Sequence, residues 1–508
     1  MIKTIRDLIE AHPNDAPAFG APDREWMSYL TLRLQTEQVE KSLRGFGIGA
    51  QDRVAIVLPN GPEMAAAFIC VAQCATTAPL NPAYQEEEFK FYLEDLKAKA
   101  IVLESGYTGA ARAAAEALHI MIVELEADTN GPAGAFTLSA MEYSGSPASE
   151  AEPGPDDVAL ILHTSGTTSR PKIVPLLQSN IAASAQSISK SLALQTDDRC
   201  LNVMPLFHIH GLIAAVSASL AAGASISCAP GFDALRFFGW VRDVDPTWYT
   251  AVPTMHQAIL ARASRNQEII DNARLRLLRS SSSSLPGPVM LKLAETFGAP
   301  VVEAYGMTEA THQMCCNPIE PGKQKPGAVG VAAGPEVAIA HETEDHLING
   351  TGEVVISGPN VTPGYESNPD ANAKSFFEAD GKRWFRTGDQ GAFDGDRYLS
   401  LTGRLKEIIN RGGEKISPLE VDSILSAHPA IAQVVCFAVP HDKLGEDVAA
   451  AVVLKDGQEA TDREIRDFAS ERMAAFKVPR KVLILDEIPK GATGKLQRIG
   501  LAEKLGIA

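Results

Sequence analysis

The segment His163–Lys172, HTSGTTSRPK, decides how the chain is read. It follows the apolar run ALILH (159–163) and precedes a helix-like segment that Ser179 could cap, so it reads as strand, turn and helix. Within the turn, Gly166 lets the backbone approach an anion, the hydroxyls of Thr164, Ser165, Thr167 and Thr168 can donate hydrogen bonds, and Lys172 adds a positive charge. A loop of this make-up is a phosphate cradle, although it is not the G-x-x-x-x-G-K-[ST] pattern of P-loop kinases. Other short apolar runs, VAIVL (54–58), WYTAV (248–252) and LRLLR (275–279), alternate with longer helix-like segments. That alternation indicates an α/β fold with buried, mostly parallel strands.

Further along, the texture changes. After Gly352 short strand-like pieces, EVVIS (353–357) and RYLSL (397–401), are divided by Gly, Pro and Asp, which indicates a small β-rich unit ending near Gly403. From Pro418 the order helix (PLEVDSILSAH), two strands (QVVCFAV, VAAAVVL), helix (461–474) and strand (KVLIL) describes a compact α+β domain. The expected division is 1–403 and 404–508. Charge follows it: residues 404–508 carry 16 basic and 16 acidic side chains, so the whole formal charge of −17 lies on residues 1–403. Such an acidic surface opposes binding to a polyanion, and nucleic acid is not an expected partner.

With 508 residues, 45% of them apolar and 21% charged, the chain is long enough for about three packing units and too apolar to be disordered. Seven cysteines without a C-x-x-C pair suit free thiols in a reducing compartment. The first residues, MIKTIRDLIEAHPNDAP, read as an amphipathic helix broken by Pro13 rather than a signal peptide, and Leu212–Cys228 is too short and too interrupted for a membrane span. A cytoplasmic location without membrane attachment is the expectation.

Four further motifs follow the loop in order: YGMTE (305–309), TGD (387–389), GRLKEIINRGGEK (403–415) and PKGATGK (489–495). Together with HTSGTTSRPK they resemble the adenylate-forming acyl-CoA synthetase superfamily over essentially the whole chain. Ser169 stands where that family usually has glycine, and Ile173 departs from its glycine after the loop lysine. The resemblance implies a large N-terminal domain of α/β subdomains with a small β-rich subdomain, and a mobile α+β C-terminal domain. It implies an ATP-dependent acid–CoA ligase that first joins a carboxylate to the α-phosphorus of ATP, releasing pyrophosphate, and then exchanges AMP for the CoA thiol.

The same resemblance assigns roles. Thr164, Ser165, Gly166, Thr167, Thr168, Lys172 and Tyr305 would bind ATP, Thr308 would contact the α-phosphate, and Glu309 would help hold Mg²⁺. Asp389 would accept hydrogen bonds from the ribose hydroxyls, and Arg404 would donate to ribose or phosphate. Lys495 would reach the α-phosphate and the substrate carboxylate during adenylation. Lys406 matches the hinge about which the C-terminal domain rotates, and Gly412, Gly413 and Glu414 would form the loop presented to CoA.

The strings PLFHIHG (205–211), WYTAVPTMHQ (248–257), RSSSSSL (279–285) and EAYGMTEATHQM (303–314) are similar to the oxalate–CoA ligase subgroup. The resemblance implies that they surround a small polar acid pocket in which His208, Ser282 and His312 bind the carboxylate that is not activated, where an imidazole beside the anion can be cationic. His210 is expected to stand further from the substrate. An aliphatic chain would leave these polar groups without partners. A short dicarboxylate such as malonate, or a compact aromatic acid as in 4-coumarate ligases, is the second reading. A carrier-loading or non-catalytic nucleotide-binding protein is the reading from another class, against which Lys495 and Glu309 argue. The oligomeric state is not legible in the sequence.

Overall fold

The computed structural model describes residues 2–140, 145–149, 151–164, 171–489 and 496–507. The mixed α/β architecture expected from the alternating runs is present, in four sheets. A seven-stranded sheet is built from residues 53–177, and its central strands Arg53–Val57, Thr76–Pro79, Ala100–Glu104 and Met121–Ala127 are parallel. A nine-stranded sheet has the parallel strands Arg199–Asn202, Trp248–Ala251, Leu277–Ser281 and Val301–Met307 side by side. Side chains on both faces of these strands are buried, which is why they appear in the sequence as unbroken apolar runs.

The helices Pro62–Val71 and Gln178–Ser191 touch both large sheets, and the π-helix His210–Ser217 packs on these helices and on the nine-stranded sheet. One core runs through them, joining Val54, Phe68, Leu160, Ile188, Leu212, Ile226, Trp248 and Met314. Every residue of the π-helix is buried, and π-turns of this kind are uncommon outside functional sites. Its second residue, Gly211, must be glycine, since a Cβ there would lie 2.4 Å from the carbonyl oxygen of Pro205.

Residues 336–404 form a six-stranded antiparallel sheet, and residues 409–484 form a five-stranded sheet with helices Pro418–Ser426 and Asp462–Ser470. From Pro418 the order of helices and strands is the one read from the sequence, but the hairpin Ile409–Arg411 to Glu414–Ile416 before it was not read. The N-terminal amphipathic segment is shorter than expected, a single turn at Asp7–Glu10. All seven cysteines are buried thiols, and no helix among the described residues is long and apolar enough to cross a membrane.

Candidate active site

The phosphate-type loop does not run directly into a helix. Strand Val158–Thr164 is followed by an antiparallel strand, Lys172–Leu177, with Thr164 opposite Lys172, and the helix begins only at Gln178. Ser179 is therefore not its cap; the side chain of Asn180 accepts the Leu177 N–H at 2.9 Å. Ser165, Gly166, Thr167 and Thr168 lie outside the described residues, as does Lys495. At the loop's entrance the ring of His163 meets Asp95 at 3.1 Å, and burial holds its pKa low against the pull of that carboxylate.

At the loop's exit the Lys172 ammonium sits 4.2 Å from the ring centroid of Tyr365, whose hydroxyl donates to Glu309 Oε1 at 2.8 Å. Burial lowers the Lys172 pKa, with Glu309 opposing and the Lys406 ammonium adding to the shift, so the expected hinge lysine faces the same site. Glu309 and Thr308 are buried in a short turn, Thr308–Ala310, and the Thr362 N–H donates to the Glu309 carbonyl. Tyr365 has no motif around it in the sequence; only the fold brings it to Lys172 and Glu309.

A second cluster joins YGMTE to TGD. The Tyr305 hydroxyl donates to Asp389 Oδ2 at 2.5 Å, and Arg404 Nε lies 3.3 Å from Asp389 Oδ1. Asp389 and Arg404 are cross-strand partners in an antiparallel pair, which puts their side chains on one face. Asp389 raises the Arg404 pKa, and burial followed by Asp389 raises that of Tyr305.

The third cluster lies at the carboxyl ends of the parallel strands, where open α/β sheets bind ligands. Strand Leu277–Ser281 delivers Arg279 and Ser282, strand Trp248–Ala251 delivers Thr250, the π-helix delivers His210, and the hairpin from Val301–Met307 to His312–Cys316 delivers His312. His210 Nδ1 is 3.0 Å from Ser282 Oγ, and His210 Nε2 is 2.6 Å from Thr250 Oγ1. The rings of His210 and His312 stand edge to face at 5.3 Å, and the His210 N–H donates to His208 Nδ1 at 3.4 Å. His208, Ser282 and His312 are thus brought together, but around His210, which was expected to stand aside. His312 is only 2% exposed and is no surface residue. Ser282 (φ 74°) and His312 (φ 95°) both hold left-handed backbone, a strain that in non-glycine residues concentrates at functional sites.

Arg279 is the residue that sequence reasoning passed over. It is fully buried, with Nη1 3.4 Å from both His210 Nε2 and Thr250 Oγ1, and Nη2 3.5 Å from His312 Nδ1 and 3.2 Å from Gln313 Oε1. The signal available was an arginine within LRLLR, a run read as a buried strand, and Arg279 proves to be the middle residue of the fully buried strand Leu277–Ser281.

Lys406 is exposed in a turn between strands Leu399–Arg404 and Ile409–Arg411. Gly412 (φ 61°) and Gly413 (φ 97°) form a two-residue hairpin turn between Arg411 and Glu414, a conformation that favours glycine at both places. The hairpin is anchored where Arg411 Nε meets the buried Asp447 at 2.7 Å.

Comparison with known proteins gives a match to the AMP-binding enzyme family over residues 6–366 and to the AMP-binding enzyme C-terminal domain over residues 420–495. The chain is 47% identical to an oxalate–CoA ligase of Arabidopsis thaliana over 457 residues, 89% of this chain and 88% of that one. It is 43% identical to an oxalate–CoA ligase of Saccharomyces cerevisiae over 501 residues, covering 94% of this chain and 91% of the other. The crystal structure of ATP-bound MatB from Rhodopseudomonas palustris superposes with a TM-score of 0.87 at 26% identity, over 99% of both chains.

Proposed function

We propose oxalate as the acid that this chain, an AMP-forming acid–CoA ligase that belongs to the AMP-binding enzyme family, joins to coenzyme A. ATP and CoA are its cosubstrates. In the first step a carboxylate oxygen of the acid attacks the α-phosphorus of ATP and the bond to pyrophosphate breaks; in the second the CoA thiol sulfur attacks the acyl carbon and AMP leaves.

The observation that carries the choice of acid is the third cluster. Ser282, His210, His312 and Arg279 present polar side chains to one small region, and a two-carbon dianion needs donors for its distal carboxylate inside the pocket. His208, Ser282 and His312, joined by His210, are the proposed acid-binding residues. One feature bears on the compact aromatic acid of the second reading: an apolar cavity of about 150 Å³ beside Pro205–Phe207, lined by Leu58, Met64, Leu80 and Met255. None of the four polar side chains lines it, which supports the smaller acid.

For the nucleotide, the loop residues Thr164, Ser165, Gly166, Thr167, Thr168 and Lys172 are the proposed phosphate donors, with Thr308 at the α-phosphate and Tyr305 in the nucleotide pocket. The pairing of Asp389 with Tyr305 and Arg404, which joins YGMTE to TGD, supports the assignment of Asp389 and Arg404 to the ribose and phosphate. Glu309 is a buried carboxylate beside Lys172 at the loop's exit and accepts the Tyr365 hydroxyl, so it fits Mg²⁺ shared with substrate phosphates, which would neutralise charge on the leaving pyrophosphate. Lys495 is the proposed cation for the adenylation step, Lys406 the hinge between residues 1–403 and 404–508, and Gly412–Glu414 the loop offered to CoA. The exposed two-glycine turn supports the last of these.

The test is AMP release with CoA and oxalate, malonate, acetate, hexanoate or 4-coumarate, on wild type and His312→Ala. Wild type should prefer oxalate, and His312→Ala should lose roughly 10- to 150-fold in kcat/KM for oxalate with little change for acetate. A wild-type preference for hexanoate or coumarate, or an equal loss for all acids in His312→Ala, would refute the oxalate pocket.

A further inference from the structure

A buried guanidinium ordinarily lies against a carboxylate, because an uncompensated charge in the interior is costly. Arg279 does not. It is fully buried, its Nε has no hydrogen-bond partner, and among the described residues no carboxylate lies within ion-pair distance of it. Each of its contacts is to a neutral acceptor: His210 Nε2, Thr250 Oγ1, His312 Nδ1 and Gln313 Oε1. The titratable groups facing it from neighbouring elements are these two rings, His256 against its carbonyl at 3.3 Å, and the thiols of Cys200 and Cys316. His256 is held neutral by burial, with its pKa lowered to about 4, and burial raises both thiols.

A guanidinium has only donors, so a ring nitrogen that faces it must be an acceptor. For His210 this makes Nε2 the bare nitrogen, and Nδ1–H then donates to Ser282 Oγ at 3.0 Å, which directs the serine's own hydrogen away from the ring. For His312 it makes Nδ1 the bare nitrogen and Nε2 the protonated one. A second proton on either ring would set N–H against N–H. Burial lowers Arg279 itself only to about 10, so it stays cationic at neutral pH.

We propose that Arg279 is the positioning residue that makes this pocket select a dianionic acid: its buried guanidinium holds His210 and His312 as neutral donors and supplies the positive charge that answers the distal carboxylate. The anion that no described residue supplies is the one that arrives with the substrate. This places the pocket's charge on Arg279 rather than on an imidazolium. It rests on the oxalate reading given above.

Two measurements on the full-length enzyme test it. In wild type, the KM for oxalate should stay constant within about threefold from pH 6 to 8, because the charge resides on a group that does not titrate there; an imidazolium pocket would instead lose oxalate steadily as pH rises through the imidazole range. Arg279→Gln, which keeps donors and loses charge, should raise the oxalate KM roughly 10- to 100-fold while acetate changes less than threefold, and Arg279→Lys should restore most of the difference. An oxalate KM that climbs with pH in wild type overturns the proposal without any variant having to fold. So does an Arg279→Gln enzyme in which oxalate and acetate decline together. A wild type that does not prefer oxalate defeats the substrate reading itself, whereas a wild type that prefers oxalate and variants that keep the preference defeat only the role of Arg279.

Discussion

Glu303 shows what burial does to a single acid near the site. It is 2% exposed, accepts the Leu285 N–H at 2.8 Å, and burial pushes its pKa up to about 8. An unfolded glutamate titrates near 4.3, so between that value and about 8 the folded chain holds a proton that the unfolded chain has released. Stability from this group is complete at acid pH and declines as pH rises toward 8. Glu303→Gln keeps an acceptor for Leu285 and removes the titration. Its Tm should exceed wild type by a margin that widens by roughly a few degrees between pH 5 and pH 8; a margin independent of pH would show that Glu303 is ionised in the fold. At this same scale the sequence shows which residue types gather at the acid pocket but not their order of contact. In PLFHIHG the sequence favours His208 over His210, and only the start of a π-helix decides that His210 reaches Ser282.

Among the elements, the hairpin from Val301 to Cys316 carries the most chemistry, since it holds Tyr305, Thr308, Glu309 and His312. Its register shifts at Tyr305/Gly306, and a Cβ on Gly306 would lie 1.8 Å from the His312 carbonyl oxygen. Gly306→Ala must therefore push His312 off its strained backbone and with it the pocket. The variant should lose more than about 10-fold in kcat/KM for oxalate, and several degrees in Tm. Kinetics like those of wild type would show that the hairpin is not held by this contact. The elements were legible where burial is two-sided, as in Trp248–Ala251 and Leu277–Ser281. Strand Lys172–Leu177 was not, because Pro175 interrupts it. A proline is tolerated there since the strand is the edge of its sheet, which no local pattern reveals.

At the scale of the molecule, two parallel-rich sheets share one core, and the strand ends that bear the acid cluster stand close in sequence to the motifs that bear the nucleotide cluster. Among the described residues the C-terminal unit meets the rest through polar contacts such as Lys415 with Glu342 at 2.8 Å and Gln257 Nε2 donating to the Ala432 carbonyl at 3.0 Å. Contacts of this kind give way easily, which suits the proposed rotation of that unit. The change in charge at the proposed boundary was legible because it is a matter of counting; Tyr365 beside Lys172 and Glu309 was not, because its position follows from tertiary packing alone. The account stands or falls on adenylation of oxalate, which is seen most directly without CoA, as acid-dependent exchange of labelled pyrophosphate into ATP. Oxalate should support exchange well above malonate, acetate, hexanoate and 4-coumarate at equal concentration. Exchange supported better by any of those acids, or absent with oxalate, would contradict it.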